Sequence, residues 1–292
     1  MKKQRILISG ATGFLGTHLR RRLIAAGAEV AGLAREPGRA AKANPECAWF
    51  PYELPHLPSP AAFEPRVDVF IHCAYEPSSA RESTSALNVE GTRRLVNECR
   101  ARGVGRFILI SSMSAHEGAE SEYGRSKLAC ESLLDPARDV WVRPGFIIGN
   151  GGIFLRLSQM IGRIPAIPLF YGGHQLIHTI TVDELTLAIE RIIEKELRGL
   201  VLVGEAEAVE LRDFYAAIAR CQGRRPFFVP VPGGPALAGL RATERLGVPL
   251  PFTSENLLGL KALRSFDLKK DLAALDLQPR TMAEGLRDYY GR

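Results

Sequence analysis

Short apolar runs alternate along the chain with amphipathic stretches at helical spacing. Residues 5–10, RILISG, form an apolar run that ends in glycine, which predicts a buried parallel strand. Residues 14–27, FLGTHLRRRLIAAG, put Leu15, Leu19 and Leu23 on one side and arginines on the other, with Gly27 as a stop. That is a helix, and its arginine run at 20–22 reads as the solvated side. The alternation repeats. EVAGLAR (29–35) is a second strand, CAWFPYEL (47–54) a weaker third, and VDVFIHCA (67–74) a strong fourth. A long helix with a Ser/Thr start and a Gly end covers 83–103. RFILISS (106–112) is a fifth strand, SEYGRSKLACESLL (121–134) a helix, and VWVRPGFIIG (140–149) a sixth strand.

Strands and helices in turn, with short connections, predict an α/β protein with a doubly wound parallel sheet. After Gly149 the character changes, and glycine, proline and loops become denser. TITVDELTLAIERIIEKE (179–196) is a strand end followed by a helix, and GLVLVG with LRDFYAAIARCQG is one more strand–helix pair. The expected organisation is a nucleotide-type domain over 1–150, rejoined by a strand and helix around 178–203. A smaller, partly discontinuous C-terminal lobe over 151–292 would bind substrate.

Composition narrows the classes. The 292 residues suffice for one large α/β domain plus a lobe. The formal charge of +6 is scattered, without basic blocks or interleaved aromatics, which speaks against a nucleic-acid partner. Five cysteines without a CxxC spacing fit a reducing compartment, the cytoplasm, better than a disulfide framework. No run of 18 apolar residues occurs, so no membrane span is expected.

The turn GATGFLG holds Gly10, Gly13 and Gly16 between a buried strand and an amphipathic helix. A dinucleotide pyrophosphate needs a tight turn, close backbone approach and amide donors at a helix N-terminus. At the end of the second strand, where a carboxylate would bond the ribose of NAD, the chain has Ala34 and Arg35, with Arg39 near. A guanidinium suits a 2′-phosphate, so NADP is favoured over NAD, with Glu36 as the counter-argument.

The fifth strand ends in Ser111 and Ser112, at the crevice end of such a sheet. Tyr123 follows Ser112 by eleven residues, and Lys127 lies four further on, on the same helix face. A nearby ammonium lowers the pKa of a phenol, and a serine hydroxyl can hold a substrate oxygen. Together they can serve hydride transfer, with Tyr123 handling the proton.

Taken together, GATGFLG, HCA (72–74), NVEGT (88–92), ISSMS (110–114), YGRSK (123–127), RPGFIIG (143–149), TVDEL (181–185) and the C-terminal stretch from Phe266 resemble one family. It is the extended short-chain dehydrogenase/reductase superfamily, of the NAD-dependent epimerase/dehydratase type. The resemblance implies a Rossmann-type fold and assigns roles. Tyr123 would be the acid/base. Lys127 would bond the nicotinamide ribose, Ser112 would orient the carbonyl with Ser111 as the alternative, and Asn88 would support the lysine through water. The turn would contribute Gly10, Thr12, Gly13, Phe14, Leu15 and Gly16 to the cofactor. Cys73, Ala74 and Tyr75 would line it after the fourth strand and Ser111, Tyr123 and Lys127 from the end of the fifth onward, Glu53 and Leu54 would flank adenine, and Pro144 and Gly145 the nicotinamide. It also implies a homodimer option through helices 83–103 and 122–135.

Three departures from the family pattern bear on substrate. The stretch between Ser112 and Tyr123 is short, His116 replaces the Tyr of a YG pair, and Phe146 stands where sugar-nucleotide epimerases have an Asn. They weigh against a nucleoside-diphosphate sugar. A small carbonyl or alcohol, or a sugar, is the expected ligand class, with reduction slightly ahead of epimerisation. A nucleotide-binding protein without chemistry is the rival from another class. No metal site is expected. His174 and His178 are four apart but sit in loop and strand, and His178 is read as lining the substrate cleft. Asp183 is read as a helix N-terminal residue, and Cys73 as a small packing residue.

Overall fold

A computed structural model describes residues 4–77, 84–248 and 252–291. The first half runs β1 (Arg5–Ser9), α1 (Phe14–Ala25), β2 (Glu29–Ala34), α2 (Pro37–Ala43), β3 (Ala48–Pro51), β4 (Val69–His72), α3 (Ser85–Ala101), β5 (Arg106–Ile110), α4 (Glu122–Glu131) and β6 (Val140–Pro144). The expected start of α3 at Ser83 lies outside the described residues. The second half runs β7 (Phe146–Ile148), α5 (Gly152–Arg163), β8 (Ala166–Phe170), β9 (Leu176–Ile177), β10 (Thr179–Thr181), α6 (Val182–Glu194), β11 (Gly199–Val203), β12 (Val209–Glu210), α7 (Leu211–Cys221), β13 (Phe227–Val231), α8 (Gly233–Arg245), α9 (Ser254–Lys261), α10 (Lys269–Leu275) and α11 (Met282–Tyr290).

Seven parallel strands form the central sheet in the order β11-β6-β5-β4-β1-β2-β3. The order reverses between β1 and β4, the crevice where such sheets bind ligands at the strands' carboxyl ends. Helices cover both faces, so the inner strands are apolar on both sides. Ile6, Leu7 and Ile8 of β1 are fully buried, and each such side chain contributes about 1.5–3 kcal/mol. Helix α6 lies beside α1, and β11 extends the sheet at β6, so residues beyond 150 complete the nucleotide layer.

Two sequence expectations change. The run 140–149 is two strands. Gly145 breaks it, because a Cβ there would lie 2.8 Å from the His178 carbonyl carbon. β7 then leaves the main sheet to pair with β10. Arg20 is not solvated. It is 1% exposed, ion-paired to Glu46, bonded to Asn44 and stacked 5.4 Å from the Trp49 ring centre. It pins β3 and its approach to α1, which helical periodicity alone could not reveal.

The second lobe has its own core of Phe154, Ile161, Ile167, Phe214, Ile218 and Leu286. β8 and β13 pair in parallel within it. Asp183 occupies the first turn of α6, whose N-cap Thr181 forms a capping box with Glu184. Among the described residues no helix is long and apolar enough to cross a membrane.

Candidate active site

The glycine turn is shaped by backbone contacts. Gly10 has φ 68°, and a Cβ there would sit 2.8 Å from the Ala74 nitrogen. A Cβ on Gly16 would sit 2.8 Å from Ala11 Cα and closer still to the Gly10 oxygen. β1, the loop after β4, and α1 therefore meet at van der Waals limits. The Gly13 amide donates to Gly10 O at 2.9 Å. Gly13 caps α1 with no side-chain acceptor, and the first turn carries no acid. The helix thus presents its positive end to the crevice with no carboxylate competing, which suits a pyrophosphate. Phe14 seats the neighbouring lobe: its ring fills the space that Cβ atoms on Gly149 and Gly151 would occupy.

At the end of β2, Arg35 is 69% exposed and its guanidinium lies 3.9 Å from the Glu76 carboxylate. Arg39 faces Glu36 at 3.6 Å. Such exposed pairs are worth about 0–1 kcal/mol, so either arginine can be turned to another anion. Glu53 is exposed, and Leu54 packs over Gly91 of α3.

Ser112, Tyr123 and Lys127 converge at the end of β5. Ser121 caps α4 by accepting from Gly124 N at 3.2 Å, and so fixes where Tyr123 and Lys127 project. Lys127 is 6% exposed and its ammonium donates to Ile110 O at 2.8 Å. It lies 4.7 Å from the Tyr75 ring centre and 6.0 Å from that of Tyr123. Tyr75 meets Tyr123 edge-on at 5.1 Å and its hydroxyl is 2.9 Å from Ser126 Oγ. Tyr123 itself is 39% exposed at the cleft mouth. Burial of its inner side lifts the phenol above its ordinary pKa, and a hydrogen bond with Ser112 opposes that. Burial pulls the Lys127 ammonium down, opposed by Cys130, Cys73 and Glu131. Pro144 ends β6, the Gly145 amide donates to Val203 O at 2.8 Å, and Ser112 Oγ accepts from Ser114 N at 3.1 Å.

Several residues lie differently from their sequence assignments. Ser111 is 3% exposed and gives its hydroxyl to Glu131, away from the cofactor crevice. The Asn88 amide holds the loop after β4: Oδ1 accepts from Glu76 N at 2.8 Å, and Nδ2 donates to Glu76 O at 2.8 Å and Thr84 O at 2.9 Å. It ties Glu76 and Thr84 to α3, which is compatible with the water-mediated support of Lys127 that the resemblance implies. His178 does not line the cleft. It is 2% exposed, Nδ1 donates to Glu205 O at 2.7 Å, and Nε2 accepts from Phe266 N at 2.9 Å. His174 is exposed and faces Glu210 at 3.2 Å, so the two histidines have separate partners. His116 is buried and donates from Nε2 to Ala262 O at 2.9 Å, tying the loop after Ser112 to the end of α9.

Sequence reasoning missed two buried networks. In one, the Ala74 amide donates to Ser9 Oγ at 3.4 Å, and Ser9 donates to His72 Nδ1 at 2.6 Å. Thr92 gives its own proton to Asn88 O at 2.8 Å, so His72 Nε2, 3.1 Å away, is the donor to Thr92. The ring is therefore neutral, and burial lowers its pKa to about 3. In the other network, Glu131 and Arg143 form a buried ion pair behind Ser111. The signal for Glu131 was its place four residues past Lys127. The remaining partners lie too far along the chain for any local pattern to join them.

Residues 6–195 match the model of the NAD dependent epimerase/dehydratase family. The chain belongs to that family. A ceramide reductase of Caulobacter vibrioides is 29% identical to this family member over 241 residues, 78% of this chain and 73% of the reductase. Human epimerase family protein SDR39U1, solved with NADPH, matches with a TM-score of 0.73 at 19% identity, over 99% of this chain and 100% of that one. MoeE5, solved with UDP-glucose and NAD, matches with a TM-score of 0.72 at 20% identity, over 98% and 97%. The two solved relatives hold different dinucleotides on the same fold.

Proposed function

We propose that the protein is an NADP(H)-preferring oxidoreductase acting on a carbonyl compound that carries no nucleoside diphosphate. The observation that supports it most is the convergence of Ser112, Tyr123 and Lys127 beside a glycine turn whose contacts leave no room for a Cβ. When bound, the nicotinamide supplies the hydride at its C4. The chain's residues do the rest. The Ser112 hydroxyl donates to the substrate oxygen and orients the carbonyl. Tyr123 gives its phenolic proton to that oxygen, and the phenolate left behind is stabilised by the Lys127 ammonium. Tyr75, edge-on to Tyr123 and bonded to Ser126, keeps the phenol from rotating out of line.

The preference for NADP rests on Arg35, which directly follows Ala34, the last residue of β2 and not a carboxylate, although Glu36 and Glu76 stand nearby. Glu76, near Arg35, gives way to a 2′-phosphate, whose charge is higher. The substrate class rests on Phe146, whose ring packs edge-on against Phe214 at 5.2 Å. A phenyl ring at this position offers no hydrogen bond to a diphosphate. The similarity to a ceramide reductase supports reduction over epimerisation.

The test follows oxidation of NADPH and of NADH with a panel of ketones and aldehydes, with UDP-glucose assayed for epimerisation in parallel. We expect NADPH-dependent reduction that Tyr123→Phe lowers by about 10²–10⁴-fold. Reduction untouched by Tyr123→Phe, or epimerisation of UDP-glucose with no carbonyl turnover, overturns the reading. NADPH binding without any turnover favours a binding protein instead.

A further inference from the structure

The buried ion pair behind Ser111 lies one helical turn beyond the proton-handling lysine. Tyr123, Lys127 and Glu131 succeed one another at intervals of four on α4, so their side chains share a face. Glu131 is 5% exposed and uses both carboxylate oxygens. Oε1 accepts from the Ser111 hydroxyl and from Arg143 Nε at 2.8 Å, and Oε2 accepts from Arg143 Nη2 at 2.6 Å. Ser111 N in turn donates to Val142 O at 2.7 Å. Three segments are thereby tied together: α4 with Tyr123 and Lys127, the end of β5 with Ser112, and the end of β6 leading into Pro144 and Gly145.

We propose that Glu131 and Arg143 form a positioning pair that holds Ser112 in register with α4 and keeps a single net positive charge beside Tyr123. A buried ion pair of this kind is a poor source of stability, since apolar residues of similar volume often replace one without loss. Its geometry accounts better for a functional role. Lys127 and Arg143 carry two positive charges into this corner, and Glu131 cancels one. Remove the carboxylate charge and the phenolate at Tyr123 faces two cations. Remove Arg143 instead and the carboxylate neutralises Lys127.

The other groups packed around the inner part of α4 are neutral, and the carboxylates Glu122 and Glu255 lie at its N-terminal end. From β4 and its loop come His72, neutral with its pKa near 3, Cys73, whose thiol burial pushes to about 12, and Tyr75, also pushed up to about 12. From α3 come Asn88 and Thr92, which are uncharged. From β5 come the hydroxyls of Ser111 and Ser112. On α4 itself, burial raises the Cys130 thiol and Ser126 is neutral. Glu122, at the start of α4, accepts from Ser85 N at 3.1 Å. Glu255 of α9 accepts from Glu122 N at 2.6 Å, so these two carboxylates stand at the outer, N-terminal end of α4, and Glu131 and Arg143 form a buried ion pair toward its inner end.

The inference rests on the reading of Tyr123 as the proton donor, and a substrate-free measurement separates the two. The ionisation of tyrosine is followed by ultraviolet difference absorbance in the full-length protein, without nucleotide and with NADP⁺. Tyr123→Phe identifies the transition that belongs to Tyr123. Glu131→Gln keeps the carboxamide in place of the carboxylate and is expected to lower that midpoint by about one pH unit. The double variant Glu131→Gln/Arg143→Met restores a single positive charge and is expected to bring the midpoint back to the wild-type value. Arg143→Met alone strands a buried carboxylate and is avoided. Circular dichroism on each variant checks that the fold is kept. A midpoint that stays put in Glu131→Gln, while Tyr123→Phe still removes the transition, overturns the inference and leaves the catalytic reading standing. A titration that Tyr123→Phe does not alter removes both.

Discussion

Gly16→Ala places a methyl group where the structure has no space for one. The new Cβ would lie 2.8 Å from Ala11 Cα and 2.9 Å from the Gly10 carbonyl carbon, with the Gly10 oxygen nearer still. All three are backbone atoms, so no side chain can swing aside. α1 must move off β1, or the glycine turn must open. Overpacking of this kind costs about 1–3 kcal/mol. At roughly 2–4 °C per kcal/mol, the melting temperature falls by about 2–12 °C. The same displacement draws the start of α1 away from the pyrophosphate. Losing one hydrogen bond to a charged group costs about 1.5–3 kcal/mol, so NADPH affinity drops by roughly 10–150-fold. Gly38→Ala is the matched control: Gly38 is exposed on α2, and its Cβ would meet nothing within 4 Å. It should raise stability by about 0.4–1 kcal/mol and leave affinity alone. Differential scanning fluorimetry and calorimetric NADPH titration give both quantities. If Gly16→Ala melts and binds like the wild type, α1 does not pack on the turn as described and the glycine turn is not the pyrophosphate seat.

Arg35→Ala should cut NADPH affinity by about 10–150-fold while changing NADH affinity little, since only the 2′-phosphate contact is lost; equal losses for both nucleotides in calorimetry would place Arg35 elsewhere. His72 carries a pH signature. Its folded pKa, near 3, lies below the ordinary histidine value of about 6.5, so the stability of the neutral form is fully present above about pH 6.5 and is lost as pH falls toward 3. Urea unfolding at pH 7, 6, 5 and 4 should show His72→Gln losing up to about 1.4 kcal/mol per pH unit less than the wild type, and parallel curves would mean that the ring is not buried neutral. Asn88→Ala removes the three short side-chain bonds that tie Glu76 and Thr84 to α3. The melting temperature should fall by about 2–12 °C for a loss of about 1–3 kcal/mol, and an unchanged value would show that these bonds are not limiting.

The alternation of strand and helix was legible because inner parallel strands are apolar on both faces, and few other elements produce runs such as those at 6–8 and 69–71. The break at Gly145 was not, since two short buried strands in sequence look like one long one until the His178 carbonyl is seen against it. Arg20 shows the same limit from the other side. Helical spacing placed it on a polar face, and the Trp49 and Glu46 that bury it lie across the β2 crossover. That Tyr123 and Lys127 share one helix face was legible because an i, i+4 pair is a local pattern. His178 was misplaced because its two partners, Glu205 and Phe266, are 27 and 88 residues away.

The opposing electrostatics of the site lead one step further. The same burial that raises the Tyr123 phenol also pulls down the Lys127 ammonium that should lower it. Deeper burial of the pair would therefore work against the proposed proton transfer twice over. The structure limits the damage in two ways. Tyr123 stays 39% exposed at the cleft mouth, while Lys127, 6% exposed, is anchored to Ile110 O at 2.8 Å, a bond that favours its charged form. Substitution of Ile110 by another apolar residue leaves this backbone contact in place, which is why an essential partner of the lysine is invisible as a residue type in the sequence.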